Sequence, residues 1–235
     1  MTIYQKYFNS GEKHIAVLLD PDKLTDEKTA YYGSLIEKSP AGMIFTGGSL
    51  VNENMEKTVE ILKNETGKPV IIFPGSGSQF TPKADALLFL SLISGRNPEY
   101  LIGEQVKTAY KIKKSGIETI PTGYILIDGG RVTSVQYVSN SMPIPADKTD
   151  LAVSTAVAGE LLGMKCFYLE AGSGAAFHIK KELISAVREN ISSPIIVGGG
   201  IRSMQTIQEL FSAGADIAVI GTAFEENPEF FKSCL

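Results

Sequence analysis

The sequence predicts a single (β/α)8 barrel, and three observations carry that expectation. Apolar runs of strand length recur along the chain, at residues 15–19, 43–45, 70–73, 86–90, 124–127, 166–169, 195–197 and 217–220. Several are continuous and β-branched rather than alternating, the mark of strands covered on both faces, as in a parallel sheet. Helical patterns separate the runs, and 235 residues suit one barrel of this kind.

The elements follow in order. Residues 25–38 form a helix opened by Thr25 as cap, with Glu27 soon after. The next helix, 52–66, stops at Gly67 with Pro69 beyond it. The segment 74–82 reads Pro-Gly-Ser-Gly-Ser-Gln-Phe-Thr-Pro, too rich in breakers for a helix, so the third helix is expected to be replaced by a loop. Helix 98–115 ends at Gly116. After the fifth strand, residues 128–147 carry Gly129, Gly130, Pro143 and Pro145 and read as a long loop with a small hairpin at 132–138. Loops of that length are often lids. Helices 154–162, 180–190 and 204–213 end at Gly163, before Pro194 and at Gly214. No linker or composition shift divides the chain, so residues 1–235 are one domain.

Composition narrows the function. A net charge of −4 and a pI near 5.4 argue against non-specific nucleic-acid binding, which needs a basic surface. Local groups must therefore hold any anionic ligand. Two cysteines, Cys166 and Cys234, make neither a disulfide framework nor a metal spacing. The first residues lack the apolar core of a signal peptide, and no run is long enough to span a bilayer. The expectation is a cytoplasmic chain without a transmembrane segment, free to touch a membrane surface if its substrate lives there.

In such barrels the chemistry lies at the carboxyl ends of the strands. The seventh ends in Gly198-Gly199-Gly200-Ile201-Arg202 and the eighth in Gly221-Thr222-Ala223. Glycines let backbone N–H groups approach a ligand, and a helix starting beyond them adds oriented donors. Gly199, Gly200, Gly221 and Thr222 are the expected phosphate cradle, beyond their simpler role in tight turns. Arg202 either complements the phosphate charge or lies in solvent. Asp20 ends the first strand and should face the mouth, where a carboxylate can hold Mg2+. Asp22 equally well caps the next helix, and Ser49 is either an added hydroxyl ligand or a cap. Glu170, beside Gly172 and Gly174, suits a general base, and Tyr168 projects on the same side two residues earlier. His14 and His178 have no partner spacing and read as structural.

The strings Leu19-Asp20-Pro21-Asp22-Lys23, Thr46-Gly47-Gly48-Ser49, Tyr168-Leu169-Glu170-Ala171-Gly172-Ser173-Gly174, Gly198-Gly199-Gly200-Ile201-Arg202 and Gly221-Thr222-Ala223 resemble, in order and over nearly the whole chain, the geranylgeranylglyceryl phosphate synthase family. That family has a barrel whose third helix is a loop. The resemblance implies that the 3-hydroxyl of sn-glycerol 1-phosphate attacks carbon one of a polyprenyl diphosphate and that diphosphate leaves. It implies Asp20 and Ser49 as Mg2+ positions. Tyr168, Leu169, Glu170, Ala171, Gly172, Ser173 and Gly174, with Gly199, Gly200, Gly221 and Thr222, would hold glycerol phosphate, and Glu170 would take the hydroxyl proton. The tail groove is expected around Phe80, residues 87–92 and Tyr124. Leu18 stands where some members carry a lysine, which leans the substrate toward the geranylgeranyl chain. A homo-oligomer is implied too, with Tyr100 as either an interface anchor or ordinary packing. Fold and phosphate turns alone also permit another phosphate-binding barrel enzyme, an isomerase or a flavin-dependent one, or a binder without turnover.

Overall fold

The computed structural model describes residues 1–231; Cys234 lies outside the described residues. Eight parallel strands close into a barrel in sequential order: β1 His14–Leu19, β2 Met43–Thr46, β3 Val70–Ile72, β4 Ala86–Leu92, β5 Glu118–Leu126, β6 Cys166–Glu170, β7 Ile195–Gly198 and β8 Ile217–Ile220. Period-two alternation divides the side chains into two cores. Phe45, Ile71, Leu88, Tyr124, Tyr168 and Ile196 fill the barrel interior. Val17, Leu19, Ile44, Ile125, Leu169 and Val197 face outward against the helices.

The helices are α1 Asp26–Glu37, α2 Met55–Glu65, α3 Glu104–Ser115, α4 Ser134–Ser139, α5 Thr149–Leu161, α6 Lys181–Asn190, α7 Met204–Ser212 and α8 Thr222–Glu226. Thr25 caps α1 through its hydroxyl, as the sequence predicts. The cap of α2 is Asn54, so Ser49 is left in the loop before it. Asp22 caps no helix. Its carboxylate instead accepts from the backbone N–H groups of Asn52 and Glu53, at 2.8 and 2.9 Å, and fixes the β2 loop to the β1 loop. A three-residue 3-10 turn, Gly77–Gln79, is all that stands between β3 and β4, in place of a helix.

Several expectations change, among them α5, which begins at Thr149 and not at 154. β5 begins six residues earlier than its apolar run because Pro121 and Gly123 interrupt the pattern. Pro121 is tolerated because its missing N–H faces β6, whose pairing starts only at Thr122. The hairpin expected at 132–138 is the short helix α4, closed by Asn140 in the left-handed conformation. It has no strand to pair with, and the helix turns Val135 and Val138 together toward the mouth. The N-terminal turn, Tyr4–Phe8, closes the opposite end of the barrel. The backbone N–H groups of Ile3 and Tyr4 donate to the Glu118 carboxylate at 2.6 and 2.8 Å, and Phe8 is buried in the interior core.

Candidate active site

A cavity of about 590 Å³ opens at the carboxyl ends of the strands. Its walls bring together Asp20, Ser49, Tyr168, Glu170, Ser173, Gly174, Gly199, Gly200, Gly221 and Thr222, from five separate strand ends. The glycines expected to cradle phosphate come together where β6, β7 and β8 end side by side. Gly199 and Gly200 take φ of +86° and +69°, which an L side chain rarely adopts. A Cβ on Gly199 would stand 2.7 Å from Glu170 Oε1, and one on Gly200 2.7 Å from the Phe177 backbone. Ser203 caps α7 beyond these glycines and the helix starts at Met204, as the sequence suggests, so the glycine turn itself lines this side of the cavity. Gly221 leads directly into α8, whose first N–H groups have no partner within the helix. The Ser173 and Thr222 hydroxyls stand 3.5 Å apart across the cradle. Arg202 is exposed on the cavity wall.

Three members of the β6 string sit apart from the cavity. Leu169 and Ala171 point their side chains into the outer core, so only their backbone could meet a ligand there. The Gly172 N–H is already spent on Glu170 Oε1 at 2.6 Å, and a Cβ at Gly172 would press on Thr133, the residue before α4. Gly172 therefore holds Glu170 in place.

Glu170 is 5% exposed. Burial pushes its pKa up to about 7, against the opposing pull of the Gly172 N–H and the Tyr168 hydroxyl. That value places a proton acceptor near the working pH of most enzymes. The Tyr168 hydroxyl is fully buried with no partner at full hydrogen-bond geometry among the described residues, yet it stands near enough to Glu170 to affect its ionisation. Gly198 makes room for it, because a Cβ there would lie 2.3 Å from that hydroxyl. Phe73 stacks on Tyr168 at 5.1 Å and Tyr124 tilts against it at 5.4 Å, giving the cavity an aromatic floor.

The third group lies at the β1 and β2 ends. Asp20 is half-buried, and burial raises its pKa although Lys23 opposes. Lys23 Nζ reaches Asp20 at 3.6 Å and Glu225 of α8 at 3.1 Å, a bridge between the β1 turn and the cradle helix that sequence patterning did not indicate. Gly48 keeps the space beside Asp20 open, since a Cβ would sit 3.4 Å from the carboxylate. Among the described residues no cluster of three or more His, Cys, Asp or Glu could hold a metal alone. One carboxylate and one hydroxyl are hard oxygen donors of the kind Mg2+ takes when waters and substrate phosphates complete its shell, so Asp20 and Ser49 fit that ion.

Beside this cavity runs a second of about 100 Å³, sharing Phe73, Tyr124, Val135 and Val138 with it. It is lined by Phe80, Leu87, Leu90, Leu92 and Ile112, and the missing third helix leaves it open. This is the groove expected around Phe80 and residues 87–92. Tyr100 is half-buried on its wall. His14 and His178 lie off the cavity, His14 against Tyr7 at the closed end and His178 on the Ile179 carbonyl.

Residues 9–234 match the model of the PcrB family. The geranylgeranylglyceryl phosphate synthase of Flavobacterium johnsoniae is 50% identical, over 99% of this chain and 97% of that one. The protein of the same name from Methanosphaera stadtmanae is 44% identical over 92% and 88%. The crystal structure of (S)-3-O-geranylgeranylglyceryl phosphate synthase from Thermoplasma acidophilum, in complex with its substrate sn-glycerol-1-phosphate, superposes with a TM-score of 0.91 at 33% identity, over 99% of this chain and 95% of that one. An N-acetylmannosamine-6-phosphate 2-epimerase from Clostridium perfringens, at 14% identity and a TM-score of 0.59, shares the fold alone.

Proposed function

This chain belongs to the PcrB family, and from that premise we propose that it forms an ether bond between sn-glycerol 1-phosphate and a prenyl diphosphate, the geranylgeranyl compound by preference. The observation that carries the reading is a buried carboxylate, Glu170, with its pKa near 7, set between a glycine phosphate cradle and an apolar groove.

The cradle glycines, Ser173 and Thr222 hold the phosphate and direct the 3-hydroxyl to Glu170. The hydroxyl oxygen bonds to carbon one of the prenyl chain, the bond from carbon one to the diphosphate oxygen breaks, and its electron pair leaves with diphosphate. Glu170 takes the hydroxyl proton as the oxygen's charge is lost to the new bond. The aromatic floor excludes water that would capture the allylic cation. Asp20 and Ser49 would hold Mg2+, which when bound offsets charge on the diphosphate. The tail lies along Phe80, Leu87 and Leu90, which line the apolar groove. A homo-oligomer belongs to the same reading: Ile102, Val106 and Tyr110 are 60%, 67% and 73% exposed at four-residue spacing on one side of α3 and its entry turn, a stripe a second copy would cover. No helix among the described residues is long and apolar enough to cross a membrane.

Calorimetric titration with sn-glycerol 1-phosphate tests the cradle. Binding lost in Gly199→Ala and kept in Glu170→Gln supports the assignment. No binding to the native chain would remove it.

A further inference from the structure

Gln79, in the loop replacing the third helix, has a polar side chain that is almost wholly buried, at 2% exposure. It spends that side chain on the glycine turn beside Asp20. Its Oε1 accepts from the backbone N–H of Gly75 at 3.1 Å and of Gly48 at 3.4 Å, and its Nε2 donates to the Gly48 carbonyl at 2.8 Å. The two loops are pressed together where these bonds form. A Cβ on Gly75 would fall 2.2 Å from the Gly48 carbonyl oxygen and 2.8 Å from the Ser49 Cα, and one on Gly47 2.0 Å from the Phe73 carbonyl oxygen. The far side of the loop is fixed to α3, where the Gly77 N–H donates to Glu104 at 3.0 Å. Gly75, Gly77 and Phe80 of this loop wall the apolar groove, whereas Gly48 and Ser49 stand on both cavities. A buried amide with two bonds to the Gly48 turn and one to its own loop fixes the two backbones together more tightly than apolar packing would, because each lost bond leaves a buried group unpaired.

We propose that Gln79 is a positioning residue that latches the groove loop to the Gly48–Ser49 turn, and so sets the oxygen donors that meet the diphosphate end of the prenyl substrate. The inference rests on the prenyl-transfer reading. Gln79 touches no reacting atom and acts through Ser49 and its neighbouring amides.

The test uses the full chain with Gln79→Leu, which keeps the bulk and removes every bond. Gln79→Glu, which keeps the two acceptor bonds, is the partner should the leucine variant fail to fold. Two ligands are measured separately: inorganic pyrophosphate with Mg2+, by calorimetry, and sn-glycerol 1-phosphate. The expected result is a loss of about tenfold in pyrophosphate affinity and a matching rise in KM for geranylgeranyl diphosphate, with glycerol phosphate binding within twofold of native and Gln79→Glu in between. A lower Tm with pyrophosphate affinity unchanged would reduce Gln79 to a structural brace and overturn the proposal. So would a rise in KM for the long substrate with pyrophosphate unaffected, which would assign it to the groove wall alone, and so would equal loss for both ligands. Pyrophosphate binding is read without turnover, so a native chain that makes no prenyl ether would fail the functional reading and leave the latch measurement intact.

Discussion

Glu170 joins folding to catalysis in one side chain. Its pKa rises from 4.5 to about 7 on folding because the carboxylate is buried. The folded protein therefore holds a proton there that the unfolded chain has released. The stability contributed by the protonated form is complete below about pH 4.5 and is lost as the pH rises through 7, on the order of 3 kcal/mol. Glu170→Gln keeps the shape and removes the titration. Its Tm should exceed that of the native protein at pH 8 and match it at pH 5, as thermal melts at the two values will show. Its kcat should fall by about a hundredfold or more, and the rise of kcat with pH through 7 should vanish. A variant with near-native turnover would remove the base assignment. Asp20→Asn is expected to weaken the response of turnover to added Mg2+ while glycerol phosphate still binds; an unchanged metal titration would remove the metal assignment. At this scale the sequence is legible where a polar residue ends an apolar run, as at Asp20 and Glu170, and where glycines pair with a strand end, as at Gly199 and Gly221. It is silent on Gln79 and on the Lys23 bridge to Glu225, because their partners are 31 and 202 residues away in the chain and no local period links them.

The loops that replace or follow helices shape the substrate path. Five breakers and small polar residues in 74–78 forbid a helix, and that absence uncovers the groove between β3 and β4. The expectation of a loop there rests on composition, which is why it agrees with the structure. The hairpin expected at 132–138 rests on a window of seven residues inside a long loop, too short to separate a hairpin from a helix without a pairing strand. The start of β5 was hidden by Pro121 and Gly123, whose acceptance depends on where β6 begins. Leu90 lies half-buried on the groove wall. Leu90→Trp should cut kcat/KM for geranylgeranyl diphosphate by about tenfold relative to geranyl diphosphate, with KM for glycerol phosphate unchanged. Equal effects on both tails would place the chain elsewhere.

Over the whole molecule, stability and function occupy opposite ends of the barrel. The closed end is sealed by the N-terminal turn, with Phe8 at 2% exposure and Glu118 accepting two backbone N–H groups. Phe8→Ala should destabilise the barrel by about 3 kcal/mol, read in denaturant unfolding, with kcat little changed at a temperature where the protein stays folded. The open end carries strained glycines, a buried carboxylate and an apolar groove, features that cost stability and that a barrel built only to fold would lack. The central claim is that these features join a phosphate subsite to a tail subsite for one ether bond. The most direct test incubates the purified protein and Mg2+ with radiolabelled sn-glycerol 1-phosphate and prenyl diphosphates of graded length, then extracts lipid-soluble label. The account predicts label in the organic phase, greatest with the geranylgeranyl compound and lost with EDTA. Folded protein that binds glycerol phosphate yet sends no label into the organic phase with any tail would contradict it.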